Sequence, residues 1–130
     1  LRIYLLDDRQ YRTPQPCPRA NRVASQVLDR CDETALAHTL LGATQEAWLD
    51  KAFSSSRAQW NLIAQQTLFA PLDESPGAAR GLWTDGWDGY PQSRQRVLDA
   101  LRKTALRNPV IVGGDLHANV VAAVPGDPER

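Results

Sequence analysis

The sequence contains no methionine, no surplus of charge of either sign and only two cysteines. Each lack closes off a class of protein. Fifteen acidic residues balance fifteen basic ones, so bulk charge gives no reason to expect a nucleic-acid or anionic-membrane partner. No stretch approaches the roughly 20 apolar residues of a bilayer-spanning helix, and no signal peptide is visible. Cys17 and Cys31 have no nearby Cys or His at zinc-ligand spacing, which argues against a cysteine-based metal site. With 42% hydrophobic residues among 130, the chain can bury the core of one domain. The absent methionine, with Leu1-Arg-Ile-Tyr-Leu-Leu6 opening like the inside of a buried strand, reads as a processed chain or a piece of a longer one.

What is present centres on the stretch Asn108-Pro-Val-Ile-Val-Gly-Gly-Asp115-Leu-His117-Ala-Asn119. Its β-branched run, Val110 to Val112, predicts a short buried strand. Two glycines end it and permit close backbone approach. A carboxylate and an imidazole follow, two residues apart, where parallel strands of open α/β sheets deliver ligand-binding groups. Both are ordinary donors to zinc, iron or manganese. The plainer reading makes Asp115 a turn cap and His117 a surface residue.

The remaining elements follow in order. Residues 1–6 predict a strand running into Asp7-Asp8-Arg9, where Arg9 has the fork geometry to grip a phosphate. Residues 13–41 read as mostly irregular, because Pro14, Pro16 and Pro18 forbid a helix at the start; residues 23–28 allow a turn or so of helix. A disulfide between Cys17 and Cys31 suits this proline-rich excursion, since closing a ~15-residue loop contributes about 3 kcal/mol; it would imply an oxidising compartment. His38 reads as structural or solvent-facing. A helix is predicted over 44–53, with Trp48, Leu49, Ala52 and Phe53 on its buried face. A strand is predicted over 60–69, in which Gln65 and Gln66 point to opposite faces, so that at least one must find buried partners or wall a site. The long loop from Pro71 to Pro91 carries Trp83, Asp85, Trp87, Asp88 and Tyr90, as an anchored loop or a pocket rim. A second helix is predicted over 92–106, with Pro91 at its start. Val97, Leu98, Leu101 and Ala105 are its buried side; Arg94, Arg96, Arg102 and Lys103 are its solvated one. Residues 120–124 allow a last strand.

Strand, helix, strand, helix, strand is the signature of an α/β fold with a largely parallel sheet. All three strands end in polar residues: Asp7 to Arg9, Gln65-Gln66, and Asp115 with His117. Their convergence on one sheet edge points to a ligand site.

The ordered set of motifs resembles the PhoD-like (alkaline phosphatase D) metallophosphoesterases. The resemblance rests on Leu6-Asp7-Asp8-Arg9-Gln10-Tyr11-Arg12, Leu41-Gly42 with Gln45 and Trp48-Leu49, and Trp60 with Gln65-Gln66. It continues through Asp85, Trp87-Asp88-Gly89-Tyr90-Pro91, Asn108-Pro109-Val110 and Gly114-Asp115-Leu116-His117. It spans nearly the whole chain. It implies a secreted or periplasmic phosphatase or phosphodiesterase on a β-sandwich flanked by helices. Water activated by metal ions would attack the phosphorus ester. The resemblance implies calcium and iron, with zinc or manganese as other choices. It makes Asp115 and His117 metal ligands, and places Arg9, Gln65, Gln66, Asp88 and Asn119 around the substrate. Asp8 stands where the family commonly has Thr or Ser, and Ala118-Asn119-Val120 where it often has Ser and Trp. The family's other metal ligands lie in an amino-terminal half, so residues 1–130 are expected to be the carboxyl-terminal portion of one such domain and inactive alone. The competing expectation is a non-catalytic metal- or ligand-binding module.

Overall fold

The computed structural model describes residues 1–15, 27–28, 38–74 and 81–124. Asn61–Ala64 is the central strand of a parallel three-stranded sheet, flanked by Arg2–Leu5 and Pro109–Val112. In chain order the strands are β1 (Arg2–Leu5), β2 (Val27–Leu28), β3 (Asn61–Ala64), β4 (Leu82–Trp83) and β5 (Pro109–Val112). The helices are α1 (Ala43–Ser54) and α2 (Pro91–Lys103), with a 3-10 turn at Trp87–Gly89. The fold is therefore mixed α/β, with α1 in the connection from β1 to β3 and α2 in that from β3 to β5. A parallel sheet requires such crossovers. β2 and β4 form a separate antiparallel pair.

The register makes rows across the sheet. Tyr4, Ile63 and Ile111 form one row, on the side of the core that includes Leu49 and Phe53 of α1 and Val97 of α2. Tyr4 meets Phe53 edge-on at 4.9 Å between ring centroids, a favoured aromatic geometry. Burying a side chain such as Leu49 or Phe53 contributes roughly 1.5–3 kcal/mol. The alternate rows are Ile3, Leu62 and Val110, then Leu5, Ala64 and Val112. These lie on the opposite face, where Leu5 is 75% and Val112 42% exposed. The expected buried strand at Val110 to Val112 is thus an edge strand with an open apolar face among the described residues.

Local chemistry sets the ends. Pro91 starts α2 with its fixed φ and its missing N–H where no partner is needed. Ser54 Oγ caps back to the Asp50 carbonyl at 2.8 Å, and Thr104 Oγ1 does the same to Ala100 at 2.8 Å. α2 stops at Lys103, three residues earlier than the pattern predicts, and Ala105 is exposed at φ 46°.

Other expectations change as well. The strand at 60–69 ends at Ala64, because Gln65 and Gln66 turn their side chains onto the backbone. Val27–Leu28 pairs with Leu82–Trp83 instead of starting a helix, and residues 23–26 lie outside the described set. Trp48 is 48% exposed, not core; its ring lies edge-on to Tyr4 at 6.5 Å between centroids. Residues 120–124 form no strand, although Val124 packs against the core. Arg94 and Arg96 are not simply solvated: they pair with Asp88 and Glu46. Among the described residues, no helix is long and apolar enough to cross a membrane.

Candidate functional site

The site begins where β1 ends. Gln66 accepts from the Asp8 backbone N–H at 2.7 Å and donates to the Leu6 carbonyl at 2.7 Å. One amide thus brackets the last turn of chain before Arg9. Gln45 of α1 does the same a residue away, accepting from Asp7 N–H at 2.9 Å and donating to its carbonyl at 2.8 Å. The Asp7 carboxylate accepts the Gln10 and Arg9 amides at 2.8 and 2.9 Å. Those backbone bonds, from Gln10 first and Arg9 second, hold its carboxyl below the usual range. Asp8 is fully buried and accepts from Thr67 Oγ1 at 2.6 Å and Thr67 N–H at 3.2 Å. Its other oxygen accepts no hydrogen bond among the described residues and lies 3.7 Å from Arg9 Nε. Asp8 therefore anchors the segment while Arg9 projects outward.

Arg9 is the hub. Its guanidinium donates to Asp85 Oδ2 at 2.8 Å and to Asp115 Oδ2 at 2.6 Å. Arg12 and Gln15 grip the other Asp85 oxygen at 2.8 and 2.7 Å. One carboxylate thus ties two arginines together, and one arginine ties two carboxylates together. Tyr90 packs beneath and donates to the Thr13 carbonyl at 2.7 Å. Burial pushes its hydroxyl pKa up; Arg12 opposes that, Asp85 adds to it, and Arg9 opposes it.

After β5 the chain is pressed against the end of β3. A Cβ on Gly113 would collide with the Thr67 carbonyl, so only glycine fits there. Gly114 N–H donates to the Gln66 carbonyl at 3.1 Å. Asp115 and His117 then both adopt positive φ, 67° and 58°. Such backbone is uncommon outside glycine and clusters at functional sites. The structure joins the ends of all three parallel strands: Arg9 after β1 contacts Asp115 after β5, with Gln65, Gln66 and Thr67 between.

As a test for a metal, Asp115 and His117 are chemically suitable donors on a single turn. Among the described residues, however, no group of three or more His, Cys, Asp or Glu converges to hold an ion. A catalytic zinc-type site uses three protein ligands. These residues do not complete a metal site by themselves. His38 joins no such group among the described residues; its Nδ1 is buried without a hydrogen-bond partner there, and its ring sits 6.5 Å from Tyr90.

The other sequence candidates divide. Gln65 is buried; it accepts from Trp87 Nε1 at 3.0 Å and from Thr67 N–H at 2.9 Å, and donates to the Thr67 carbonyl. It is a brace under the site. Gln66 is the bracket already described. Asp88 accepts from Arg94 at 2.5 Å and from Leu72 N–H at 3.0 Å, which fixes the aromatic loop. Asn119 is exposed. Cys17 and Cys31 lie outside the described residues. Nothing in the sequence warned of Thr67, although it extends the polar run that starts at Gln65; Gln45 stood among the residues of the resemblance, without the bracketing role it has here.

A cavity of about 390 Å³ opens beside Asp115 and His117. Thr67, Leu72, Trp83 and Trp87 are among the residues that line it.

Three comparisons bear on this arrangement. The family model of the PhoD-like phosphatases matches residues 1–130. Alkaline phosphatase D of Bacillus subtilis (strain 168) is 38% identical over 127 residues, which is 97% of this chain and 21% of that protein. A solved structure of PhoD superposes with a TM-score of 0.73 at 38% identity, covering 88% of this chain and 21% of that one. The chain therefore spans about a fifth of the length of these relatives. By its matched residues and its fold, the chain belongs to the PhoD-like phosphatase family.

Proposed function

We propose that the protein to which these residues belong is a metal-dependent phosphoester hydrolase of the alkaline phosphatase or phosphodiesterase type. The observation that carries this is the Arg9–Asp115 contact at the carboxyl edge of the parallel sheet, in a chain of this family. Asp115 and His117 are proposed as two donors of a metal site whose remaining ligands come from elsewhere in the whole protein. Bound metal ions would supply an activated water and offset charge developing on the phosphoryl oxygens. Calcium and iron are the ions implied by the resemblance, with zinc or manganese as the other choices.

The chain's own residues position and bind. Arg9 keeps one nitrogen on Asp85 and can offer its outer nitrogen to Asp115 or to a phosphoryl oxygen, for which guanidinium is suited. Gln66 and Asp8 hold the backbone from which Arg9 projects; Gln65 and Asp88 hold the wall behind it. Asn119 borders the substrate beyond His117.

Residues 1–130 are proposed to be the carboxyl-terminal portion of a single domain. The apolar face of Ile3, Leu5, Val110 and Val112 supports this, because parallel sheets are ordinarily covered on both faces. The rest of the protein would cover it as the second layer of a β-sandwich flanked by helices. Secretion or a periplasmic location, with Cys17 and Cys31 bridged, completes the reading. The rival, a non-catalytic ligand-binding module, draws on the incomplete donor set.

The test uses the full-length protein: hydrolysis of p-nitrophenyl phosphate and bis(p-nitrophenyl) phosphate, with metal content by mass spectrometry. Turnover and metal content that both fall in His117→Ala support the hydrolase. Absence of hydrolysis by the metal-loaded wild type establishes the rival.

A further inference from the structure

The cavity beside Asp115 and His117 has a construction that the phosphoryl chemistry leaves unused. Its volume, about 390 Å³, is in the range of small-molecule sites. One end is the Asp115–His117 turn; the apolar walls are Leu72, Trp83 and Leu116. Trp83 is 41% exposed although its strand neighbour Leu82 is buried. Alternation along β4 thus turns a large aromatic surface outward.

Two lining residues, Trp87 and Leu72, are fixed before anything binds. Trp87 is held from below by Gln65 Oε1 at 3.0 Å and edge-on by Phe69 at 4.7 Å. A Cβ on Gly89 would strike the Thr84 carbonyl, so the 3-10 turn lies flush against the end of β4. Asp88 pins Leu72 through its N–H. Trp87, so braced, loses little freedom when a flat group packs in the cavity it lines. Glu74 also lines the cavity, and no lysine or arginine does among the described residues. An anionic substituent would meet the Glu74 carboxylate there, with no cationic side chain of the described residues lining the cavity to offset it.

We propose that this cavity receives the organic group of the phosphoester, and that it selects an aryl or alkyl group without negative charge, with Trp83 as the stacking wall. The assignment rests on the phosphoesterase reading. It makes Trp83 a specificity-determining residue.

Three phosphonates separate the two ideas, because each has a single organic group and cannot be hydrolysed as an ester. Methylphosphonate, phenylphosphonate and 4-carboxyphenylphosphonate are assayed as competitive inhibitors of the full-length protein acting on p-nitrophenyl phosphate. Phenylphosphonate is expected to inhibit at about tenfold lower concentration than methylphosphonate. The para-carboxylate should cancel that gain. Trp83→Ala should also cancel it, and Trp83→Phe should retain most of it. Should Trp83→Ala not fold, Leu72→Ala replaces it with the same expected loss. Equal inhibition by the methyl and phenyl compounds, or a phenyl gain that survives both alanine variants, overturns the pocket while hydrolysis itself still stands. A 4-carboxyphenyl compound as tight as the phenyl one overturns the charge selection. A protein that hydrolyses no phosphoester removes the reading beneath it.

Discussion

Arg9 and Asp115 are 106 positions apart in sequence and meet at 2.6 Å, the guanidinium donating to Asp115 Oδ2. Asp115 is half exposed and Arg9 one-third exposed, so the pair contributes at most about 1 kcal/mol to stability. Its value is orientational. Arg9→Lys keeps the charge but cannot bridge Asp85 and Asp115 at once. In the full-length protein, with Asp115 in its proposed role as a metal ligand, it is expected to lower kcat/KM about 10–100-fold, as loss of a ligating carboxylate's hydrogen-bond partner typically does. The melting temperature should scarcely move. Unchanged turnover would show that the contact positions nothing.

Asp88 is expected to behave in the opposite way. Its carboxylate and the Arg94 guanidinium are both largely buried, and breaking such a pair from one side costs about 3 kcal/mol or more. Asp88→Asn should lower the urea midpoint substantially. Restoring stability with a second change at Arg94 would identify the uncompensated guanidinium as the cause. A full-strength fold with impaired turnover would instead return Asp88 to the substrate.

These two aspartates show where the sequence was legible. The strand ends could be read because a polar residue directly after an apolar run marks the carboxyl edge of a parallel strand. That rule found Arg9, Gln66 and Asp115 without any knowledge of their contacts. It could not say which of them bind and which brace, since Gln65 and Asp88 owe their bracing roles to hydrogen-bond partners that strand and helix patterns do not reveal. Helical periodicity located α1 and α2, but put Trp48 inside. Trp48 precedes Leu49 by one residue, about 100° round the helix, where the buried stripe ends. The β-branched run at Val110 reads as buried on both faces; whether a second layer is present is not written in those residues.

Acid should unfasten α1 from α2. Burial works against ionisation of Glu46, but hydrogen bonds from Arg96, Thr39 and Ser93 outweigh it and leave the carboxyl below its ordinary range. Arg96 Nε donates at 2.7 Å and Ser93 Oγ at 2.8 Å. A depressed folded-state pKa means the stabilisation is complete above the ordinary value of about 4.5 and is lost as pH falls through the lower folded-state value. Glu46→Gln should lower stability near neutrality and flatten its decline in that acidic window. Urea unfolding at a series of pH values measures both; parallel wild-type and variant curves would contradict the assignment.

Gly113→Ala tests the close approach of β5's exit to the Thr67 carbonyl. Relieving the clash requires the backbone to shift, at about 1–3 kcal/mol. Asp115 is two residues on, so turnover should fall by more than stability alone explains. An alanine variant with wild-type activity and melting temperature would mean the segment has room to spare.

The sheet also dictates when a site can exist during synthesis. β1 pairs with β3, and β3 with β5, so the β3 neighbour of β1 is not available until residues near Ile63 have been made. Pairing between such distant segments is slow because the intervening loops must close first. Ribosomes add about 5–20 residues each second. β1 therefore waits for seconds without its β3 neighbour. Arg9 waits longer still, since Asp115 emerges after every other element of the sheet. Assembly of the carboxylate–guanidinium cluster thus reports that β1, β3 and β5 have come together.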